Sequence, residues 1–159
     1  MVKNFKKISE KIRLDFIKLI ESGLKFHIGG TASCIDILVV LFYGGFVNLK
    51  IKKKLKFILS KGHALGALYA ILLDKKLLSK KTFFNLVSEN KIGGQLDIFH
   101  LKKFVDWNTG SLGHSIGVIT GFAIANPKQK FWTIVGDAEI EEGSIWESIF
   151  FISEKKIKN

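Results

Sequence analysis

The sequence is short of almost everything that marks a secreted, membrane-spanning or nucleic-acid-reading chain. It holds one cysteine, Cys34, so no internal disulfide can form. The place of that thiol in an apolar run argues for a buried structural residue rather than a nucleophile. No uninterrupted apolar run approaches the roughly 18 to 20 residues that cross a bilayer. Met1 to Ile20 alternates lysines with single apolar residues at helical spacing and lacks the compact apolar block of a secretory signal. A cytoplasmic chain without a membrane span fits these absences. Arginine is nearly missing as well: of 25 basic residues only Arg13 is not lysine. Base readout and bidentate phosphate recognition favour the guanidinium fork, so the net charge of +11 does not by itself point to nucleic acid. The lysines stand as scattered pairs (75–76, 80–81, 102–103, 155–156) with one denser run from Lys50 to Lys56. We read them as solvated surface whose field attracts anions, and disfavour a nucleic-acid binder, which rests on charge alone.

What is present suffices for one core. At 159 residues and 47% hydrophobic content, a single α/β domain over residues 1–159 is expected. Phe5, Ile8, Ile12, Phe16, Leu19 and Ile20 recur at helical spacing, with Gly23 as a left-handed stop. A loop with His27, Gly29 and Gly30 leads to Ser33, which with Asp36 forms a capping pair for a helix that buries Ile35, Leu38, Val39 and Phe42 and ends at Gly44. Lys56 to Leu59 reads as a buried strand entering Ser60-Lys61-Gly62-His63 and a helix, Ala64 to Leu73. A smaller helix follows Ser79, and residues 93–109 lack periodicity and read as loop. His114 to Ala125 suits a closely packed interior helix ended by Pro127, and Phe131 to Val135 is a strand. Gly143 to Ser153 returns as a helix with Ile145, Trp146, Ile149 and Phe150 inward. Strands alternating with helices predict a three-layer α/β fold, a mostly parallel sheet with helices on both faces.

The densest polar signal is Gly136-Asp137-Ala138-Glu139-Ile140-Glu141-Glu142-Gly143, a carboxylate cluster in a strongly basic chain. Repulsion makes such a cluster costly unless a cation or directed hydrogen bonds compensate. At the carboxyl end of a parallel strand, one carboxylate facing bound phosphates is the usual way to hold magnesium; an acidic helix start favoured by the macrodipole is the alternative. Gly110-Ser111-Leu112-Gly113 ahead of a helix offers backbone N–H groups to an anion, or serves tight packing. His63, directly after a strand, can donate to phosphate or move a proton, or be incidental.

Taken in order, Phe26-His27-Ile28-Gly29-Gly30, Leu59-Ser60-Lys61-Gly62-His63-Ala64, Gly93-Gly94-Gln95-Leu96 with His100, Thr109-Gly110-Ser111-Leu112-Gly113 and Gly136-Asp137-Ala138-Glu139 through Glu142-Gly143-Ser144-Ile145-Trp146-Glu147 resemble the amino-terminal thiamine-diphosphate domain of the transketolase family over essentially the whole chain. The resemblance implies thiamine diphosphate and Mg2+ as cofactors and transfer of a two-carbon ketol unit between sugar phosphates. By it, Asp137 is a magnesium ligand, and His63, Gly110, Leu112, Gly136, Asp137 and Ala138 contact the cofactor. His63 also contacts substrate, His27 and His100 position substrate hydroxyls and shuttle protons, and Glu142 joins an acidic network between subunits. The sequence departs from the family pattern where Ala138 replaces a glycine, His114 a glutamine, and Phe26-His27-Ile28-Gly29 the usual Gly-His-Pro-Gly. Alanine presents its N–H there only if φ is negative. The family's second magnesium ligand, an asparagine, lies further along than residue 159. The resemblance therefore implies a truncated or split subunit, oligomeric, completed by a carboxyl-terminal pyrimidine-binding subunit or domain. A related deoxyxylulose-phosphate synthase fits the Ser-Lys-Gly-His-Ala and Glu-Gly-Ser-Ile-Trp-Glu segments less well, and a non-catalytic remnant or assembly module keeping the fold is the competing reading.

Overall fold

A computed structural model describes residues 4–48, 56–94, 98–101, 104 and 107–159. Met1 to Lys3, most of the lysine run (Leu49 to Leu55), Gln95-Leu96 and the pair Lys102-Lys103 lie outside the described residues.

Helix α1 (Phe5–Ile20) starts where the Asn4 side chain accepts the Lys7 N–H at 3.1 Å. Ile12, Phe16 and Leu19 are buried, with Phe5, Ile8 and Ile20 packed beside them on the same core. The chain leaves the helix through Gly23 at φ +84°.

Helix α2 (Ile28–Gly44) corrects the expected start at Ser33. The Thr31 N–H already bonds to the His27 carbonyl at 2.9 Å, and Thr31 and Cys34 both lie in the buried face, so the helix forms before Ser33 is reached. Ser33 donates to the Gly30 carbonyl at 3.0 Å, and Asp36 is taken by the guanidinium of Arg13 through bonds of 3.0 and 2.6 Å, so the capping pair does not form. Cys34 is 2% exposed and donates to the Thr31 carbonyl; burial pushes its thiol pKa up, as expected of a structural cysteine.

Strand β1 (Phe57–Leu59) runs through a short 3-10 turn, Gly62–Ala64, into helix α3 (Leu65–Asp74). Leu65 to Leu72 are all buried, so α3 is apolar all round and fills the middle of the core between α1 and α2. At its end Asp74 accepts from Lys11 and from the Tyr43 hydroxyl, joining α3 to the other two helices. Ser79 caps helix α4 (Lys80–Ser88) by accepting the Thr82 N–H at 3.0 Å, and Phe83 enters the core. Within the segment expected to be loop, a short helix α5 (Ile98–Leu101) forms. Its reason is Leu101, fully buried, a side chain whose burial is worth about 1.5–3 kcal/mol.

Helix α6 (His114–Ala125) ends before Pro127, strand β2 (Trp132–Ile134) follows, and helix α7 (Gly143–Glu154) closes the described chain. The strands pair in parallel, with Phe57 opposite Trp132, Ile58 opposite Thr133 and Leu59 opposite Ile134. Side chains alternate across the pleat: Leu59 and Ile134 join the main core, whereas Ile58 packs with Ile119 of α6 beside Val118 and Phe131. The architecture is thus mixed α/β around a small parallel sheet.

Two expectations about the last helices are corrected. In α6 only Ser115, Ile119, Thr120 and Ala123 are buried, and in α7 only Ile145 is; Trp146 is 47% and Phe150 67% exposed. Helix α7 leans on α6 and on the turn Glu139–Glu141, so one line of its side chains has something to pack against and the rest of its apolar residues face outward. Among the described residues no helix is long and apolar enough to cross a membrane.

Candidate functional site

Parallel strands deliver the segments after them to one edge of the sheet, the edge at which open α/β folds bind ligands. Ser60 to His63 follow β1 and Val135 to Asp137 follow β2, and the turn Gly110–Gly113 enters α6 beside them. One buried carboxylate ties the three segments together. Glu139 is 1% exposed. Its Oε1 accepts the Ser60 hydroxyl and the Gly113 N–H, the latter at 3.0 Å, and its Oε2 accepts the Gly136 N–H at 3.0 Å. Further bonds tighten the assembly: Thr109 donates to the Leu59 carbonyl at 2.8 Å, the Lys61 N–H to the Ile134 carbonyl at 3.2 Å, and Ser144 to the Gly113 carbonyl at 3.2 Å. Gly113 stands at φ +80°, and a Cβ there would lie 2.9 Å from the Glu142 Cβ, so both conformation and space require glycine.

Beside this knot, the ring of His63 occupies space left by Gly30, where a Cβ would sit 2.8 Å from Nε2. The His27 ring meets His63 edge-on at a centroid distance of 5.3 Å. Burial holds the His63 pKa below its ordinary value, Lys61 and His27 push the same way, and Glu139 and Asp137 pull against them. The imidazole is therefore neutral at physiological pH, with one nitrogen able to donate and the other to accept. Lys61 is 6% exposed, and its ammonium donates to the Ser33 hydroxyl at 3.3 Å.

Asp137 and Ala138 are exposed at the end of the β2 segment. Ala138 sits at φ −66°, ψ −32°, an ordinary conformation for alanine, and among the described residues its N–H has no hydrogen-bond partner. The Gly136 N–H, in contrast, is committed inward to Glu139. Gly110 and Leu112 are exposed on their turn, and Glu142, also exposed, starts α7. An open groove of about 690 Å³ borders that turn; Thr109, Gly110, Ser111, His114 and Glu147 line it, but Asp137 does not. His100 lies on α5 with its ring edge-on to Phe99 at 4.8 Å. Among the described residues no group of three or more His, Cys, Asp or Glu side chains gathers as a protein-only metal cage would. This donor set suits a hard cation held by one carboxylate and completed by a ligand's oxygens.

No described family pattern matches the chain. Over 97% of its length it is 31% identical to the transketolase of Pongo abelii, covering 26% of that protein. Over 95% of its length it is 30% identical to an apulose-4-phosphate transketolase subunit from Phocaeicola vulgatus, covering 56% of it. A protein of the same name from Actinobacillus succinogenes is 31% identical over 84% of the chain, with 51% of that relative covered. Nearly the whole chain is thus similar to transketolases and transketolase subunits. It spans about a quarter of the transketolase and about half of each apulose-4-phosphate transketolase subunit that it matches.

Of the transketolase motifs singled out in the sequence, the structure brings together Ser60 to His63, His27, the turn at Gly113 and Gly136 to Glu139. Sequence reasoning missed Glu139 and Lys61 as buried polar groups of this chain. Glu139 did carry a signal, since it alone of the clustered acids is flanked on both sides by apolar residues, Ala138 and Ile140. Lys61 carried none, because one lysine among so many does not stand out.

Proposed function

We propose that this chain supplies the diphosphate-and-magnesium half of a transketolase-type active site, in which a two-carbon ketol unit passes between sugar phosphates. The observation that carries the reading is the convergence on Glu139 of three loops from separate parts of the sequence, leaving Asp137 and the Ala138 N–H exposed at the ligand edge. Asp137 would hold Mg2+ through its carboxylate. The Ala138 N–H and the turn through Gly110 and Leu112 would receive the diphosphate of thiamine diphosphate. Thiamine diphosphate supplies the carbanion chemistry when bound. The chain's own part is to bind, orient and move protons: neutral His63 donates to an anionic oxygen, His27 and His100 position substrate hydroxyls, and Glu142 joins the acidic network linking subunits. In this reading the fold is the three-layer thiamine-diphosphate type, and a pyrimidine-binding subunit or further domain completes the site, an arrangement consistent with relatives that are themselves named as transketolase subunits. Calorimetric titration with magnesium and thiamine diphosphate, without and with a pyrimidine-binding transketolase subunit or domain added, tests it. Saturable, magnesium-dependent heat is expected in at least the second case; no heat in either leaves only the non-catalytic module.

A further inference from the structure

We infer that Glu139 is the positioning residue of this half-site: its side chain sets the spacing between the metal-binding loop and the anion-binding turn without touching either ligand. The inference rests on the proposed function for what the loops bind, but its geometry stands on the apo chain. A carboxylate 1% exposed is expensive to bury, and here it is compensated by three donors, one from each of three segments. Each oxygen has its own task. Oε2 closes back on Gly136, the residue before Asp137, and so fixes where the Asp137 side chain leaves the backbone. Oε1 reaches across to the Gly113 N–H and to Ser60 at the end of β1. The 136–138 loop and the 110–113 turn are therefore bridged by one carboxyl group through two hydrogen bonds of 3.0 Å. The Gly113 and Gly136 N–H groups are taken by the carboxylate, whereas the Ala138 N–H has no hydrogen-bond partner among the described residues. No other side chain in the cluster can substitute, because Asp137, Glu141 and Glu142 are all exposed.

Glu139→Gln tests this with little change in volume. An amide presents one acceptor oxygen and one NH2, so Gly136 or Gly113 then faces a donor. Backbone amide exchange in the apo protein is the first readout. Protected Gly113 and Gly136 amides are expected in the native chain, and faster exchange of at least one in E139Q with the circular dichroism spectrum kept. Magnesium-dependent thiamine diphosphate binding to the full chain, with its partner where binding requires it, is the second. E139Q should weaken it about 10- to 100-fold, as loss of an outer-shell partner does at metal sites. Should E139Q fail to fold, Ser60→Ala, which leaves both backbone donors on the carboxylate, should fold and still weaken binding by about threefold, less than one charged hydrogen bond at full strength. Unchanged affinity in a folded E139Q, or in S60A where E139Q does not fold, overturns the inference while the function stands. Native protein that binds nothing overturns the function instead, and unprotected Gly113 and Gly136 amides overturn the positioning role independently of any ligand.

Discussion

Gly113→Ala puts the geometry of the knot at risk with a single methyl group. The residue stands at φ +80°, where a non-glycine residue costs about 1–2 kcal/mol. The added Cβ would also meet Glu142 Cβ at 2.9 Å and the Ser144 hydroxyl closer still, and forced overpacking of this kind costs about 1–3 kcal/mol. The neighbours can give a little, because Glu142 is exposed, so we expect a total of about 2–4 kcal/mol rather than the full sum. For a chain of this size each kcal/mol lowers Tm by roughly 2–4 °C, which predicts a fall of about 5–15 °C by differential scanning calorimetry. Gly121→Ala is the internal control. It lies in α6 with nothing within 4 Å of the new Cβ, so helix propensity alone should leave the protein unchanged or raise its stability by up to about 1 kcal/mol. If Gly113→Ala melts within about 2 °C of the native protein, the turn is not built as described and the link from Gly113 to Glu139 loses its basis.

Other outcomes follow from the same structure. The Asp74 carboxyl would be raised by burial, but the Lys11 and Tyr43 hydrogen bonds outweigh that and hold it below its ordinary value. Its contribution is therefore fully present above about pH 4 and lost as pH falls through the lowered native pKa. Asp74→Asn should cost about 1–3 kcal/mol near neutral pH, a gap that closes in acid denaturation profiles. Ile145→Ala should cost about 2–5 kcal/mol in urea unfolding, whereas Phe150→Ser on the same helix, 67% exposed, should stay within about 0.5 kcal/mol. Equal losses would mean that α7 presents a different face. Gly30→Ala should displace the His63 ring, whose pKa, followed by NMR, then rises toward the ordinary value as burial and the His27 contact are lost; an unmoved pKa would contradict the packing.

Much of the fold was legible because periodicity and punctuation agree locally. Helix α1 is written in its apolar spacing and its glycine stop, α4 in its serine cap, and α6 in the proline beyond it. The misreadings arose where tertiary partners override local signals. Ser33 and Asp36 have the form of a cap, yet Arg13, distant in sequence, claims the aspartate, and buried Thr31 and Cys34 extend the helix past it. Leu101 nucleates a turn of helix in a stretch with no period, because one buried side chain suffices when a core is waiting. Trp146 and Phe150 sit one turn apart and share a face, but spacing does not say whether anything covers that face, and here it is Ile145, about a third of a turn round, that is buried. At the site, motifs located the loops, but the group joining them was hidden, since an acidic cluster does not reveal which member turns inward.

The most direct test of the account is paramagnetic broadening of backbone amide NMR signals by manganese standing in for magnesium, in the presence of thiamine diphosphate. The account predicts that signals from 136–138 and from 110–113 fade together at low metal stoichiometry while those of α1 and α4 persist. Broadening confined to one of the two loops, or centred on another part of the molecule, would contradict it.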